Sequence, residues 1–307
     1  MEIVMVVKQM LVLLILLIVG VIAAKTGVVD EETNRRLTRF ALMIPQTCMI
    51  LGSVMNADLG MTPLKVLSIM GIGFLMYAIL IALSLVSPYI CGCPREDRGV
   101  YRFMTIFGNV GFMGYPVVRA IFGSNAVFYA AVLNLPFNLL AYSLGISLLR
   151  GGHSIKSFDK KQLISPPMIA SFLVLILACV PIKFPEPLVD AVDYLGNMIV
   201  PCSMIIIGAS LGSQKVKAVF GDLRTYAFAP IRLLICPVVL WGLLHFIIRD
   251  EMLLGVVTVL GATPVAAFAT MLSIEYGGNE KAASRCVFVT TVLSVATIPF
   301  IYWLLPV

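Results

Sequence analysis

The sequence predicts an all-α membrane protein: ten transmembrane helices in two inverted five-helix repeats, with helices 4 and 9 broken and crossing one another. Three observations carry this expectation. Of 307 residues, 60% are hydrophobic and only 12% charged, with a mean hydropathy of +1.01, whereas soluble domains carry about 25% charged residues. Apolar runs close to the ~20 residues that cross a bilayer recur along the whole chain. Proline and glycine interruptions recur in matched pairs, five runs apart.

Charged and turn-rich breaks delimit spans near 4–24, 37–56, 63–87, 101–123, 125–149, 163–182, 191–212, 224–248, 252–276 and 282–305. The first, "VKQMLVLLILLIVGVIAAK", also has the basic start and apolar stretch of a signal peptide. It is read as an uncleaved helix because the repeat needs a fifth member. The longest break, "RGGHSIKSFDKKQ" at 150–162, separates spans 5 and 6 and so the two halves, 1–150 and 151–307.

Charge sets the expected orientation. The loops after spans 1, 3, 5, 7 and 9 hold sixteen Lys and Arg residues against four on the opposite side, with Arg119 and Arg232 inside spans. The positive-inside bias then places the odd loops in the cytoplasm and both termini outside. The formal net charge of +6 is a topology signal rather than a basic face of a soluble domain, so no nucleic-acid partner is expected.

Span 2 contains "IPQTCMILGS" (44–53) and span 7 contains "VPCSMIIIGA" (200–209), each with a proline seven residues before a glycine. Spans 4 and 9 carry "GNVGFMGYP" (108–116) and "GATP" (261–264). Five is odd, so the second half must enter the membrane from the other side. Inverted repeats of this kind underlie alternating access in many secondary transporters. Membrane helices also tolerate Gly and Pro in general, and the independent charge count is what strengthens the repeat.

Proline removes an N–H and clashes with the carbonyl four residues back, so Pro116 should break span 4 and Pro264 span 9. Free backbone groups at membrane depth survive only where protein or a watery cavity satisfies them, and two crossing broken helices meet that condition. The half-helices restarting there would present unpaired N–H groups and positive dipole ends suited to a carboxylate. The candidate substrate-binding residues are Asn109, Gly114, Tyr115, Pro116, Asn134, Asn138, Thr263 and Pro264. Asn134 and Asn138 share a helical face with Tyr142 and Gly145; they line the cavity or serve interhelical hydrogen bonding.

Arg119, near the end of span 4, is expected to reach the interface. Arg232 is deeper, and is expected to pair with backbone carbonyls or to attract an anion. No Asp or Glu lies mid-span, and neither H-E-x-x-H nor G-x-S-x-G occurs, so no catalytic residue and no enzyme is expected. Two histidines and one isolated "CGCP" among seven cysteines are too little for a metal site. No metal and no cofactor is expected.

"NVGFMGYP" (109–116), read as N-x4-G-x-P, together with "GATPVAAFATMLSIEYGGNEKAAS" (261–284) and "VTTVLSVATIPF" (289–300), resembles the auxin efflux carrier family over the whole chain. The resemblance implies a fold similar to bile-acid sodium symporters, with a scaffold of spans 1, 2, 6 and 7 that makes homodimer contacts. Spans 3–5 and 8–10 would form a moving transport domain. It implies organic-anion cargo, auxin in plants and malonate or malate in bacteria. The short break at 150–162 fits the microbial branch, a permease of a prokaryotic plasma membrane.

The expectation is therefore a secondary transporter of mono- or dicarboxylates, embedded in a lipid bilayer and working by elevator-type alternating access. A coupling proton or sodium ion is an open partner. A sodium-coupled symporter of the same fold is the alternative, with a channel or membrane enzyme further behind.

Overall fold

A computed structural model describes residues 2–55, 63–151, 165–177, 182, 184–215, 217 and 220–305. Most of the 150–162 break, His153, Cys179 and parts of span 6 lie outside the described residues. All elements described are helical, apart from one isolated β-bridge.

The first half comprises α1 (Glu2–Lys25), α2 (Glu31–Met43), α3 (Pro45–Met55), α4 (Pro63–Ile90), α5 (Arg98–Ile106), α6 (Tyr115–Phe122), α7 (Ser124–Leu140) and α8 (Ile146–Leu149). The second comprises α9 (Pro166–Leu177), α10 (Glu186–Asn197), α11 (Ile199–Gly212), α12 (Leu223–Pro230), α13 (Cys236–Leu244), α14 (Glu251–Gly261), α15 (Phe268–Tyr276) and α16 (Glu280–Leu304). Starts and stops follow local chemistry. Asp30, Asp250 and Asn279 accept the N–H groups of Thr33, Leu253 and Ala282 to cap α2, α14 and α16. Gly277 ends α15 in the left-handed conformation at φ +85°.

Among the described residues five stretches are long and apolar enough to cross a membrane: 64–90, 129–149, 186–212, 223–244 and 280–304. Interruptions fall both within these stretches and in shorter ones. Span 2 divides at Ile44, just before Pro45. Spans 4, 5 and 8 carry π-helical turns at Val110–Gly114, Ala141–Gly145 and Ile231–Ile235, and span 9 loses its helix between Gly261 and Phe268.

The outer surface, like the core, is apolar. On α1, Leu11, Ile15, Ile18 and Ile22 are more than half exposed while Leu13 and Leu17 are buried, giving an outward apolar stripe that suits lipid. Polar groups turn inward: Asn109, Asn134, Asn138, Arg232, Thr258, Thr263, Thr270 and Thr290 are all buried.

Small residues set the helix contacts. A methyl group on Gly208 of α11 would lie 2.1 Å from the Leu17 carbonyl oxygen, and one on Gly20 of α1 2.3 Å from that of Ile205. The two backbones therefore touch where either side chain would prevent it. Helix α3 packs on α9 and α10, and α1 and α2 on α11. A second set of contacts joins α4 to α5 and α7, α13 to α14, and α16 to α12 and α15.

Candidate functional site

Spans 4 and 9 meet where both have left helical geometry. Gly108 and Val265 form an isolated antiparallel bridge. The Asn109 N–H donates to the Pro264 carbonyl at 2.8 Å, and the Ala266 N–H to the Phe107 carbonyl at 3.1 Å. Each unwound segment thus satisfies the other's backbone groups, which is the requirement for leaving a helix inside a bilayer. Thr290 of α16 completes the arrangement by accepting the Val265 N–H at 3.1 Å.

Arg232 holds this crossing from behind. It is 1% exposed. Its Nε donates to the Thr263 carbonyl at 3.1 Å, its Nη1 to the Thr105 carbonyl at 3.0 Å, and its Nη2 to Thr263 Oγ1 at 3.4 Å. One guanidinium therefore clamps a carbonyl on each crossing segment, using the planar fork that distinguishes Arg from Lys. Gly108 makes room for it: a methyl group there would sit 1.8 Å from Nη2 and 2.4 Å from Thr263 Oγ1. Ion pairs among the described residues include Arg36–Glu32, Arg39–Glu275 and Arg285–Asp222, and no described carboxylate is paired with Arg232.

In front of the bridge lies a cavity of about 30 Å³, lined by Gln46, Met49, Gly108, Asn109, Val110, Gly111, Asn134, Phe137, Asn138, Ala266, Ala267 and Phe268. That is room for about two water-sized guests. Three of these are buried and unsatisfied among the described residues: Asn109 Nδ2, Asn138 Oδ1 and Gln46 Oε1. An amide rotated about its last bond exchanges acceptor for donor, so all three can address a bound oxygen atom. The restarting helices also face the cavity, through Val110–Gly111 and Ala266–Phe268. The first N–H groups of a helix have no partner within it; here those of Val110 and Ala266 are taken by the Gly108 and Phe107 carbonyls.

Of the eight residues singled out from sequence, Asn109, Asn134 and Asn138 line this cavity. Asn134 is already engaged, accepting from the Tyr77 hydroxyl at 3.4 Å and donating to the Tyr115 hydroxyl at 3.1 Å. Tyr115 is thus a support for Asn134 and not part of the cavity wall. Gly114 packs against Leu260 and Thr263. Thr263 is occupied by Arg232 and by the Leu260 carbonyl, to which its hydroxyl donates at 2.6 Å. Pro264 contributes its carbonyl to the bridge.

The structure moves the interruption of span 4. The helix stops at Ile106 and resumes in the π turn at Val110, so the break precedes Pro116 by several residues. Pro116 lies in the first turn of α6, where its missing N–H is best tolerated. The π turn bonds the Tyr115 N–H to the Val110 carbonyl and carries the chain into that proline without a break. Gln46 and Met49 were not singled out from sequence. The signal available was the neighbouring Pro45, already marked by the span 2 repeat.

The family's sequence model matches this chain twice, over residues 5–155 and again over residues 152–302. The chain belongs to the membrane transport protein family. This is the auxin efflux carrier family indicated by residues 109–116 and 261–284. Similar proteins include an "Uncharacterized transporter" of Methanothermobacter thermautotrophicus, 27% identical over 95% of this chain and 96% of its own length. A second "Uncharacterized transporter", from Methanocaldococcus jannaschii, is 25% identical over 96% and 97%. A Rhizobium meliloti protein named "Putative malonate transporter" is 21% identical over 78% of this chain and 76% of its own. The protein is a helical membrane transport protein made of two repeats of one family unit.

Proposed function

We propose that this chain is a secondary transporter, a permease for small organic anions of the mono- or dicarboxylate class, working by elevator-type alternating access. The carrying observation is the buried guanidinium of Arg232 behind the crossover, with no described carboxylate to neutralise it and unsatisfied amides in front. An uncompensated buried cation disfavours a cationic guest and stabilises an anionic one, the more so where water is excluded. Malonate, by the name of the Rhizobium meliloti relative, is the first anion to try.

In this reading the carboxylate takes hydrogen bonds from Asn109 and the rotated amides of Asn138 and Gln46. Spans 1, 2, 6 and 7 form the scaffold, in keeping with the packing of α3 on α9 and α10 and of α1 on α11. Spans 3–5 and 8–10 carry the crossover past it. The cavity of about 30 Å³ is smaller than a dicarboxylate and must widen to admit one. The two halves are inverted, both termini lie outside, and the protein works as a homodimer in a prokaryotic plasma membrane.

The test is counterflow in proteoliposomes. Vesicles preloaded with unlabelled malonate or malate should take up labelled anion transiently and saturably. Conductance without saturation would indicate a channel, and chemical conversion of the anion an enzyme; either result would overturn the proposal.

A further inference from the structure

A second cavity, of about 500 Å³, lies at the end of α15 remote from the crossover, among the α1–α2 turn, the C-terminal end of α11 and the α15–α16 turn. Its wall carries four carboxylates, Asp30, Glu31, Glu275 and Glu280, against two cations, Arg35 and Lys281, for a formal charge of −2. Arg39 approaches Glu275 at 3.6 Å, but Arg39 is largely exposed and such a pair is weak. Asp30 caps α2, and hydrogen bonds from Thr33 hold its carboxyl below the ordinary range, so it is ionised at neutral pH.

Asn34 supplies the independent sign of a ligand. It is 7% exposed and lines the cavity. Its Nδ2 donates to the Ile206 carbonyl at 3.5 Å, and its Oδ1 is left without a donor. A buried acceptor in that state invites an N–H or O–H group. The acceptors do not converge as metal ligands: among the described residues no three His, Cys, Asp or Glu side chains form a group able to hold an ion. The volume falls in the range of small-molecule sites, far beyond that of a bare cation. A dicarboxylate is disfavoured by the sign of the wall.

We propose that this cavity binds an aliphatic diamine, whose ammonium groups donate to Asn34 Oδ1 and to the carboxylates of Glu31, Glu275 and Glu280. Two positive charges match the charge of the wall, and several N–H donors match its spread of acceptors. Because the wall joins α2 and α11 to α15 and α16, a bound diamine bridges the helices assigned above to scaffold and moving parts.

The test is titration calorimetry on the detergent-solubilised full-length protein at constant ionic strength, with 1,4-diaminobutane, n-butylamine, magnesium chloride and malonate. The diamine should bind at least about tenfold more tightly than the monoamine, as expected when a second charge-assisted contact is made. Asn34→Ala and Glu280→Gln should each weaken it about tenfold while keeping cooperative unfolding, and Asn109→Ala should leave it unchanged. Glu280→Gln is isosteric, so it decides the matter should Asn34→Ala fail to fold. Diamine heats no larger than those of butylamine, wild-type diamine affinity in the folded variants, or displacement by magnesium or malonate would each overturn the proposal. None of these readouts depends on transport.

Discussion

Replacing Arg232 separates the two tasks its position gives it. Arg232→Gln removes the positive charge and leaves one short amide to serve carbonyls at Thr105 and Thr263 that lie on different segments. One buried carbonyl would lose its donor, at about 1–3 kcal/mol, partly offset because a desolvated charge is also removed. A net loss of about 2 kcal/mol, set against an unfolding entropy of about 2.1 cal/mol/K per residue, lowers the unfolding temperature by roughly 3 °C in a chain of 307 residues. The charge acts separately on the guest. A unit charge about 8 Å from a carboxylate, at an effective dielectric near 20, contributes about 2 kcal/mol, or roughly 30-fold in affinity. Arg232→Lys keeps the charge and loses the fork, so it should show the thermal loss with most of the affinity retained. Thermal unfolding and malonate titration of the three detergent-solubilised proteins measure both quantities. Equal affinity losses in the Lys and Gln variants would refute the charge argument, and unchanged stability in both would refute the clamp.

Asn109→Ala keeps the backbone N–H that bonds Pro264 and deletes a buried Nδ2 with no partner. Unfolding should shift by no more than about 0.5 kcal/mol, while malonate affinity falls about tenfold; wild-type affinity for every transported anion removes Asn109 from the site. Gly108→Ala places a methyl 1.8 Å from Arg232 Nη2, so the clamp must yield. A stability loss of about 1–3 kcal/mol should appear with lowered uptake in proteoliposomes. Gly208→Ala drives a methyl to 2.1 Å from the Leu17 carbonyl and should separate α1 from α11 at a similar cost. Because that contact is remote from the crossover cavity, residual folded protein should bind malonate with wild-type affinity.

Membrane class, helix content and the interruption of spans 4 and 9 were legible in the order of residues, because lipid demands long apolar runs and punishes every departure from helix. Pairing "GNVGFMGYP" with "GATP" located the two segments that meet. The family model, matching once on each half, fits the repeat read from prolines five spans apart. Which groups line the cavity was less legible. Sequence marks Pro116 as a helix breaker, but a proline in a first helical turn costs little, so the break settled instead at Phe107–Asn109, where the opposing segment offers the Pro264 carbonyl.

What the sequence alone determined is that certain spans could not stay helical and that their freed N–H and C=O groups needed partners inside the bilayer. Only the tertiary structure decided who those partners were. Residues 105 and 263 are brought to one guanidinium at position 232, and Gln46 and Asn138 to one cavity, by packing between elements far apart in the chain. Spacing along a chain reports the need for a hydrogen bond; its direction and partner depend on which side chains the folded helices leave within about 3 Å.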